Sequence, residues 1–404
     1  MMVCTLLVLC SSSAAAVAWA PVARLAGDAA RRFMGAPQPA AGNRRPDVLR
    51  DMSHRAHEQY WKDLSEECEA LGLSSSERER FTDFMDSVQA SREEPIWEPL
   101  VTGQSVLSQS YFPGLSAKPV WESKPGDEES EQALAWLRKL ETHGPAIAEE
   151  LRAVCGAELP AGYEDCVGFD NCESLENVPG LTATERAIYV PGFDDRPKNG
   201  YVQCVLVANE EAQKVSELFP RTMAALEDCG VRAGVRLVAF GKQLPHTALH
   251  WHSDGRNFML TAHLPLAGPS ECTGDATPPF GGASPIFPPV EKRDGAAGMV
   301  MAPLNLANPE VLMEDLAVPR SWRVGHGVVF DTSFLHSAFN DGDQPADLLF
   351  IDFFHPELTD KEAAAVQSHL RRMREVGEAG EAEGETADAG VAGQMWDRLR
   401  KMVE

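Results

Sequence analysis

A chain of 404 residues with 44% apolar content carries enough hydrophobic material for one large domain with appendages or for two ordinary ones. Its 61 acidic residues against 36 basic ones leave a formal charge of −25, with no long basic run, which excludes nucleic acid as a natural partner. An acidic, globular protein is what this composition describes.

The first stretch reads as a targeting segment. Val3 to Leu9 is a short apolar core followed by small residues around Ala16 to Ala20, too short to span a bilayer as a mature helix. From Pro21 to Pro46 the arginines Arg24, Arg31, Arg32, Arg44 and Arg45 are set against one acid, Asp28. Two readings follow: a bipartite presequence similar to those of algae with secondary plastids, with Ala16 to Pro21 at the junction, or a plain secretory signal with a linker. Both send the chain into the secretory pathway, towards a plastid, the ER lumen or the outside. No later segment is apolar enough to cross a membrane. Beyond the presequence lie Cys68, Cys155, Cys166, Cys172, Cys204, Cys229 and Cys272, an odd set without a Cys-x-x-Cys pair, so no zinc ribbon is indicated. Cys166 and Cys172 suit either a disulfide in an oxidising lumen or free thiols.

Residues 47–105 predict a helical extension of two helices broken near Gly72, with Ser74 to Ser76 capping the second, and with no chemistry of its own. Leu134, Leu137, Leu140, Ile147 and Leu151 then recur at helical spacing. Residues 156–200 read as loop, Tyr201 to Val207 as a strand, and 210–228 as a helix with Leu218, Met223 and Leu226 on one face. From Val235 the pattern changes to short β segments: Val235 to Phe240, Phe258 to Leu266, Gly327 to Phe330 and Leu348 to Phe354. Residues 267–320, crowded with Pro and Gly, read as a long insertion. A helix from Asp360 to about Val376 closes a domain over 106–376. Residues 377–404 read as a flexible acidic linker ending in a short amphipathic helix. Short strands with turn-rich joins point to a mainly β core of jelly-roll type.

The chemistry concentrates in residues 244–266, which hold four of the eleven histidines. In an extended segment His252 and Asp254 project to one face, so an imidazole and a carboxylate converge. With a second imidazole they make the 2-His-1-carboxylate face of non-haem Fe(II) oxygenases, and His336 is the best candidate. His246, His250, His326 and His355 lack that context and read as bystander, pocket-lining or turn residues, and Asp331 as the holder of a turn.

Four stretches carry a resemblance: Phe112 to Leu115, His252 to Leu266, Trp322 to His336 and Asp352 to Thr359. Over about Tyr111 to Thr359 the chain resembles the aspartyl/asparaginyl β-hydroxylase family. The resemblance implies a double-stranded β-helix with flanking helices, Fe(II), 2-oxoglutarate and O2, and a peptide, protein or small-molecule substrate. It implies that His252 and His336 bind iron and that His263 contacts 2-oxoglutarate; Asn257 and Trp322 also match. Asp254 departs from the vertebrate members, which have glycine there, and completes the triad. The family arginine that pairs with the far carboxylate of 2-oxoglutarate is replaced by Ala346, and Gly241 and Gln243 replace other residues on the co-substrate side. Arg256, Arg323 and Lys242 are the basic residues available to substitute, and Gln243 stands with His263, Arg256 and Arg323 as a candidate for binding the co-substrate. The expected function is an Fe(II)/2-oxoglutarate dioxygenase that hydroxylates a C–H bond of an Asp or Asn side chain or a related substrate. The alternatives are a non-catalytic metal-binding or scaffold protein on the same fold, and a cupin-like metalloenzyme without 2-oxoglutarate.

Overall fold

The computed structural model describes residues 54–90, 97–100, 102–107, 110–121, 131, 133–161, 163, 175, 178, 180–191, 200–231, 233–249, 252–268, 297–302 and 318–384. The targeting segment, His250, Cys166, Cys172, Cys272 and residues 385–404 lie outside them. Among the described residues no helix is long and apolar enough to cross a membrane, and Cys68, Cys155, Cys204 and Cys229 form no disulfide with one another.

Two helices come first, α1 (His54–Leu71) and α2 (Ser75–Ala90). The break falls where Gly72 takes φ 64°. Ser74 then caps α2: its Oγ accepts the Glu77 N–H at 3.4 Å while Glu77 accepts the Ser74 N–H at 2.6 Å. A hairpin follows, β1 (Trp97–Pro99) and β2 (Ser105–Leu107), then β3 (Val120–Trp121) and α3 (Ala135–Cys155).

Where residues 156–200 suggested loop, the structure places α4 (Ala183–Ile188) and β4 (Val190–Pro191). Thr182 and Glu185 form a reciprocal capping box that starts this helix without a long apolar run. After β5 (Tyr201–Ala208), the helix expected over 210–228 is shorter. Asn209 and Glu210 take positive φ, β6 (Glu211–Ala212) and a 3-10 turn at Lys214–Leu218 intervene, and α5 runs only over Pro220–Asp228. Pro220 sits in the first turn of α5, where its missing N–H costs nothing, whereas in a helix interior it would break the ladder.

The remaining strands are β7 (Ala233–Gln243), β8 (Thr247–Ala248), β9 (Met259–Ala267), β10 (Ala297–Ala302), β11 (Val318–Ser321), β12 (Val328–Phe330), β13 (Leu335–Asn340) and β14 (Ala346–Phe354). β10 and all but the last residue of β11 lie inside the stretch read as an insertion. β13 pairs with β10 and β10 with β11, partners that periodicity could not reveal. The last helix, α6 (Asp360–Gly384), runs past the expected end near Val376.

Apart from the β1–β2 hairpin, the strands among the described residues form two antiparallel sheets. The larger has the order β3-β12-β9-β14-β7-β5-β4, with β6 on β5, and the smaller β11-β10-β13-β8. Alternation decides what each face of the larger sheet covers. Leu260, Ala262, Leu264 and Leu266 of β9, with Leu349, Ile351 and Phe353 of β14, pack on Leu137, Leu140 and Ile147 of α3. The opposite face joins Met299 and Met301 of β10, Ala338 of β13, Trp322, Phe330, Ala346 and Leu348 in one apolar cluster. That cluster draws on both sheets, so they face one another across it. A third cluster unites Tyr60, Leu64, Phe81 and Phe84 of the first helices with Phe112, Phe258, Met259, Ala365 and Val366. The helices read from sequence as an extension therefore share a core with the start of β9 and with α6.

Candidate metal centre

His252 and Asp254 lie on the short extended run between β8 and β9, and His336 on β13. The backbones of His252 and His336 form an antiparallel bridge with N–H to carbonyl bonds of 3.0 and 2.8 Å in the two directions. This pairing brings residues 84 positions apart side by side, with ring centroids 4.1 Å apart. The ligand atoms of His252, Asp254 and His336 all lie within 4.8 Å of one another, with Asp254 and His336 buried. Nδ1 of His336 lies 2.9 Å from the Phe334 carbonyl, which makes it the N–H donor and leaves Nε2 with a lone pair for a metal. Two imidazole nitrogens and one carboxylate oxygen suit a divalent first-row ion.

Residues that local sequence does not single out brace these ligands. Gly255 (φ 75°) turns the chain after Asp254, and its carbonyl accepts the Leu107 N–H at 2.7 Å. Ser253, between the two ligands, lies 2.5 Å from the Ser105 carbonyl and 2.9 Å from that of Ser333. Ser105 N–H in turn donates to Ser333 O at 2.7 Å. Gln104 Nε2 donates to Asp331 Oδ2 at 2.9 Å and to Ser333 Oγ at 2.8 Å. Asp331 holds the turn before His336 by accepting the Ser333 N–H at 3.1 Å. The β1–β2 hairpin thus ties the run that carries His252 and Asp254 to the turn that leads into His336 on β13. The one sequence signal for this, a run of small and polar residues at 102–105, is also what any surface turn shows.

His263 stands on the inner face of β9, ringed by Trp322, Phe330 and Phe350 at centroid distances of 5.6, 5.3 and 5.4 Å. Burial, reinforced by His336 and opposed by Asp254, pushes its pKa down to about 3, so the ring is neutral. Its Nδ1 is buried without a hydrogen-bond partner among the described residues.

The other candidates divide. Gln243 is buried at the end of β7, opposite Ala346, and donates to Thr247 Oγ1 at 2.6 Å. Arg256 is buried two residues beyond Asp254, at the end of the sheet where Met259 pairs with Phe354, far along the strands from the Ala346–Gln243 pair. Arg323 is exposed in the turn that the His326 N–H closes on its carbonyl at 2.9 Å. Lys242 is excluded by alternation. It shares a face with Asp347, behind the sheet, and its Nζ meets Asp347 at 2.5 Å and Glu185 at 3.2 Å. Burial opposes the charge on Lys242, but these two carboxylates outweigh it and hold its pKa above the ordinary value. Gly241 is pinned by close approach, because a Cβ there would lie 2.4 Å from the Tyr201 hydroxyl oxygen.

The bystander histidines behave structurally. His355 bonds the Ser116 carbonyl through Nε2 at 3.1 Å, and His246 faces Asp343 at 3.0 Å on the surface. A second cluster, His143, Asp228 and Cys229, also places three ligand atoms within 4.8 Å. There Lys139 Nζ already lies 2.8 Å from Asp228, which makes it a surface ion-pair group.

Residues 186–276 and 291–356 match the family model described as aspartyl/asparaginyl beta-hydroxylase. The match includes every residue of the His252, Asp254 and His336 cluster and leaves out the bracing hairpin. No curated protein matches the chain. Solved structures similar to it include a Pseudomonas putida prolyl-4-hydroxylase, at 13% identity and TM-score 0.25, covering 53% of this chain and 86% of that one. AviO1 from Streptomyces viridochromogenes Tue57 aligns at 12% identity and TM-score 0.26, over 55% and 86%. A 2OG-Fe(II) oxygenase family protein from Burkholderia pseudomallei aligns at 11% identity and TM-score 0.22, over 39% and 70%.

Proposed function

We propose, from the premise that residues 186–276 and 291–356 are an aspartyl/asparaginyl β-hydroxylase family domain, that this chain is an Fe(II)- and 2-oxoglutarate-dependent oxygenase. On this reading the two facing sheets are the two sides of a double-stranded β-helix. The substrate is an Asp or Asn side chain of a peptide or protein, or a related molecule. The observation that carries the reading is the convergence of His252, Asp254 and His336 within 4.8 Å.

A ferrous ion with a 2-oxo acid supplies the power to hydroxylate an unactivated C–H bond using O2. The chain's own residues do the rest. His252, Asp254 and His336 would hold the ion on one face, leaving positions open on the other. The Phe334 carbonyl fixes the His336 ring, and the backbone bridge fixes the spacing of the two imidazoles. Met299, Met301, Phe330, Phe334 and Leu348 wall the interior with apolar surface and exclude water. His263, neutral and with an unpaired buried nitrogen, suits contact with a bound oxoacid. The residues fit the metal better than they fit a dicarboxylate, because Ala346 is buried where the family arginine would stand and Lys242 faces away.

The test is direct. Anaerobic addition of Fe(II) and 2-oxoglutarate should produce a weak visible charge-transfer band, and turnover should release succinate. His336→Ala should abolish both. A wild-type chain that shows neither, with any peptide offered, rejects the oxygenase reading. The position of Ala346 supports a second reading, a non-catalytic metal-binding protein on the same fold, which predicts metal binding without succinate. We further propose that residues 1–46 route the chain into the secretory pathway; a fluorescent fusion of those residues that stays in the cytosol would reject this.

A further inference from the structure

On the inner face of the larger sheet stands a buried carboxylate outside the ligand set. Asp352 of β14 lies directly opposite Thr261 of β9, just as Phe350 lies opposite His263, and residues two apart on a strand share a face. Asp352 and Thr261 are each 1% exposed. The Thr261 hydroxyl donates to Asp352 Oδ1 at 2.8 Å. A hydroxyl has one hydrogen, so at its longer contact, 3.4 Å to Thr332 Oγ1, Thr261 is the acceptor and Thr332 the donor. The register of β14 with β7 also shifts between Ile351 and Phe353, at this same residue. Irregularities of that kind re-aim side chains and gather beside sites.

Thr332 carries the connection to the metal centre. It is buried in the turn between β12 and β13, and its carbonyl accepts the Asp254 N–H at 2.8 Å. Its side chain is thus held from the sheet while its backbone holds Asp254. Asp254 supplies the carboxylate oxygen of the His252, Asp254 and His336 cluster, and a carboxylate ligand keeps its direction through the groups behind it. We propose that Asp352 and Thr261 are positioning residues of the metal centre, acting through Thr332 to fix the Asp254 carboxylate towards the two imidazoles. This path is separate from the β1–β2 hairpin, which grips Ser253 and Ser333. A buried hydrogen-bonded network holds its members rigidly, and each bond lost from it is felt by the rest. The proposal rests on the metal-binding part of the reading above.

The experiment titrates the full chain with Co(II), whose visible spectrum reports its ligands, and needs neither a 2-oxo acid nor turnover. Thr261→Val keeps the shape of the side chain and removes the hydroxyl. It should bind Co(II) about 10-fold more weakly than the wild type, the loss that follows removal of a group behind a ligand, and its visible bands should shift. Thr261→Ser, which restores the hydroxyl, should recover both. A double-mutant cycle with Asp254→Ala is the decisive comparison. If the path runs through Asp254, Thr261→Val weakens Co(II) binding no further once that carboxylate is gone. An equal loss in both backgrounds makes Thr261 a packing residue and overturns the proposal. So does a Thr261→Val protein unchanged in affinity and spectrum. Where Thr261→Val does not fold, Thr332→Val removes the other hydroxyl of the pair and carries the same cycle. A wild-type chain that binds no Co(II) refutes the metal centre itself, a different result from Co(II) held without help from Thr261.

Discussion

Asp331 is fully buried, and burial pushes its carboxyl up to about 7 against the hydrogen bonds from Ser333 and Gln104 that favour the charged form. A folded pKa above the unfolded value means that the folded state keeps a proton the unfolded chain has already lost. Stability from this group is therefore full below about 4 and lost as pH rises towards about 7. Asp331→Asn should flatten this part of the profile, checked by thermal unfolding midpoints of both proteins across that window. An unchanged slope would mean that Asp331 is ionised throughout. The residue was legible as a turn holder from its place before Thr332 and Ser333. Its burial was not, because Gln104, which covers it, lies 227 positions away. Lys242 teaches the same lesson in reverse: its charge suggested a carboxylate partner, and only the strand's alternation showed that the partner lies behind the sheet.

The β1–β2 hairpin is the element whose role differs most from its sequence. Three strand residues per arm predict little stability alone, yet Ser105, Val106 and Gln104 are buried against the ligand loops. Gln104→Ala removes both Nε2 bonds and leaves Asp331 Oδ2 and Ser333 Oγ short of a donor. It should lower metal affinity about 10-fold, as loss of an outer-shell partner does, and destabilise the fold by about 1–3 kcal/mol. Mn(II) titration followed by paramagnetic resonance measures the first effect and denaturant unfolding the second. Stability lost with metal affinity intact would reduce the hairpin to a packing element. β7, β9 and β14 were readable as strands because apolar runs of strand length bounded by turn residues describe them. β10 and β11 were hidden because Gly298 and Pro319 read as loop chemistry, whereas the ladders of β10 to β13 and of β11 to β10 make them strand.

At the scale of the whole molecule, the family match begins at residue 186, but the core does not. Phe84 packs on Phe112 and Phe258 at 5.5 and 5.9 Å, and Tyr60 bonds His369 of α6 at 2.5 Å. A chain starting at residue 91 would expose Phe112, Phe258, Met259, Ala365 and Val366. Large apolar surfaces of that kind are rarely left to solvent. Such a truncation should lose cooperative unfolding and bind a hydrophobic dye, and a soluble, cooperatively unfolding product would show that α1 and α2 are dispensable. By itself the sequence determined the acidic, mainly β character of the chain and which three side chains were worth bringing together. Those follow from composition, from period-two alternation and from the chemistry of His and Asp. Only the tertiary structure decided which elements support those side chains and which cations are turned away from them, because hydrogen bonds and sheet faces join residues that no local pattern connects.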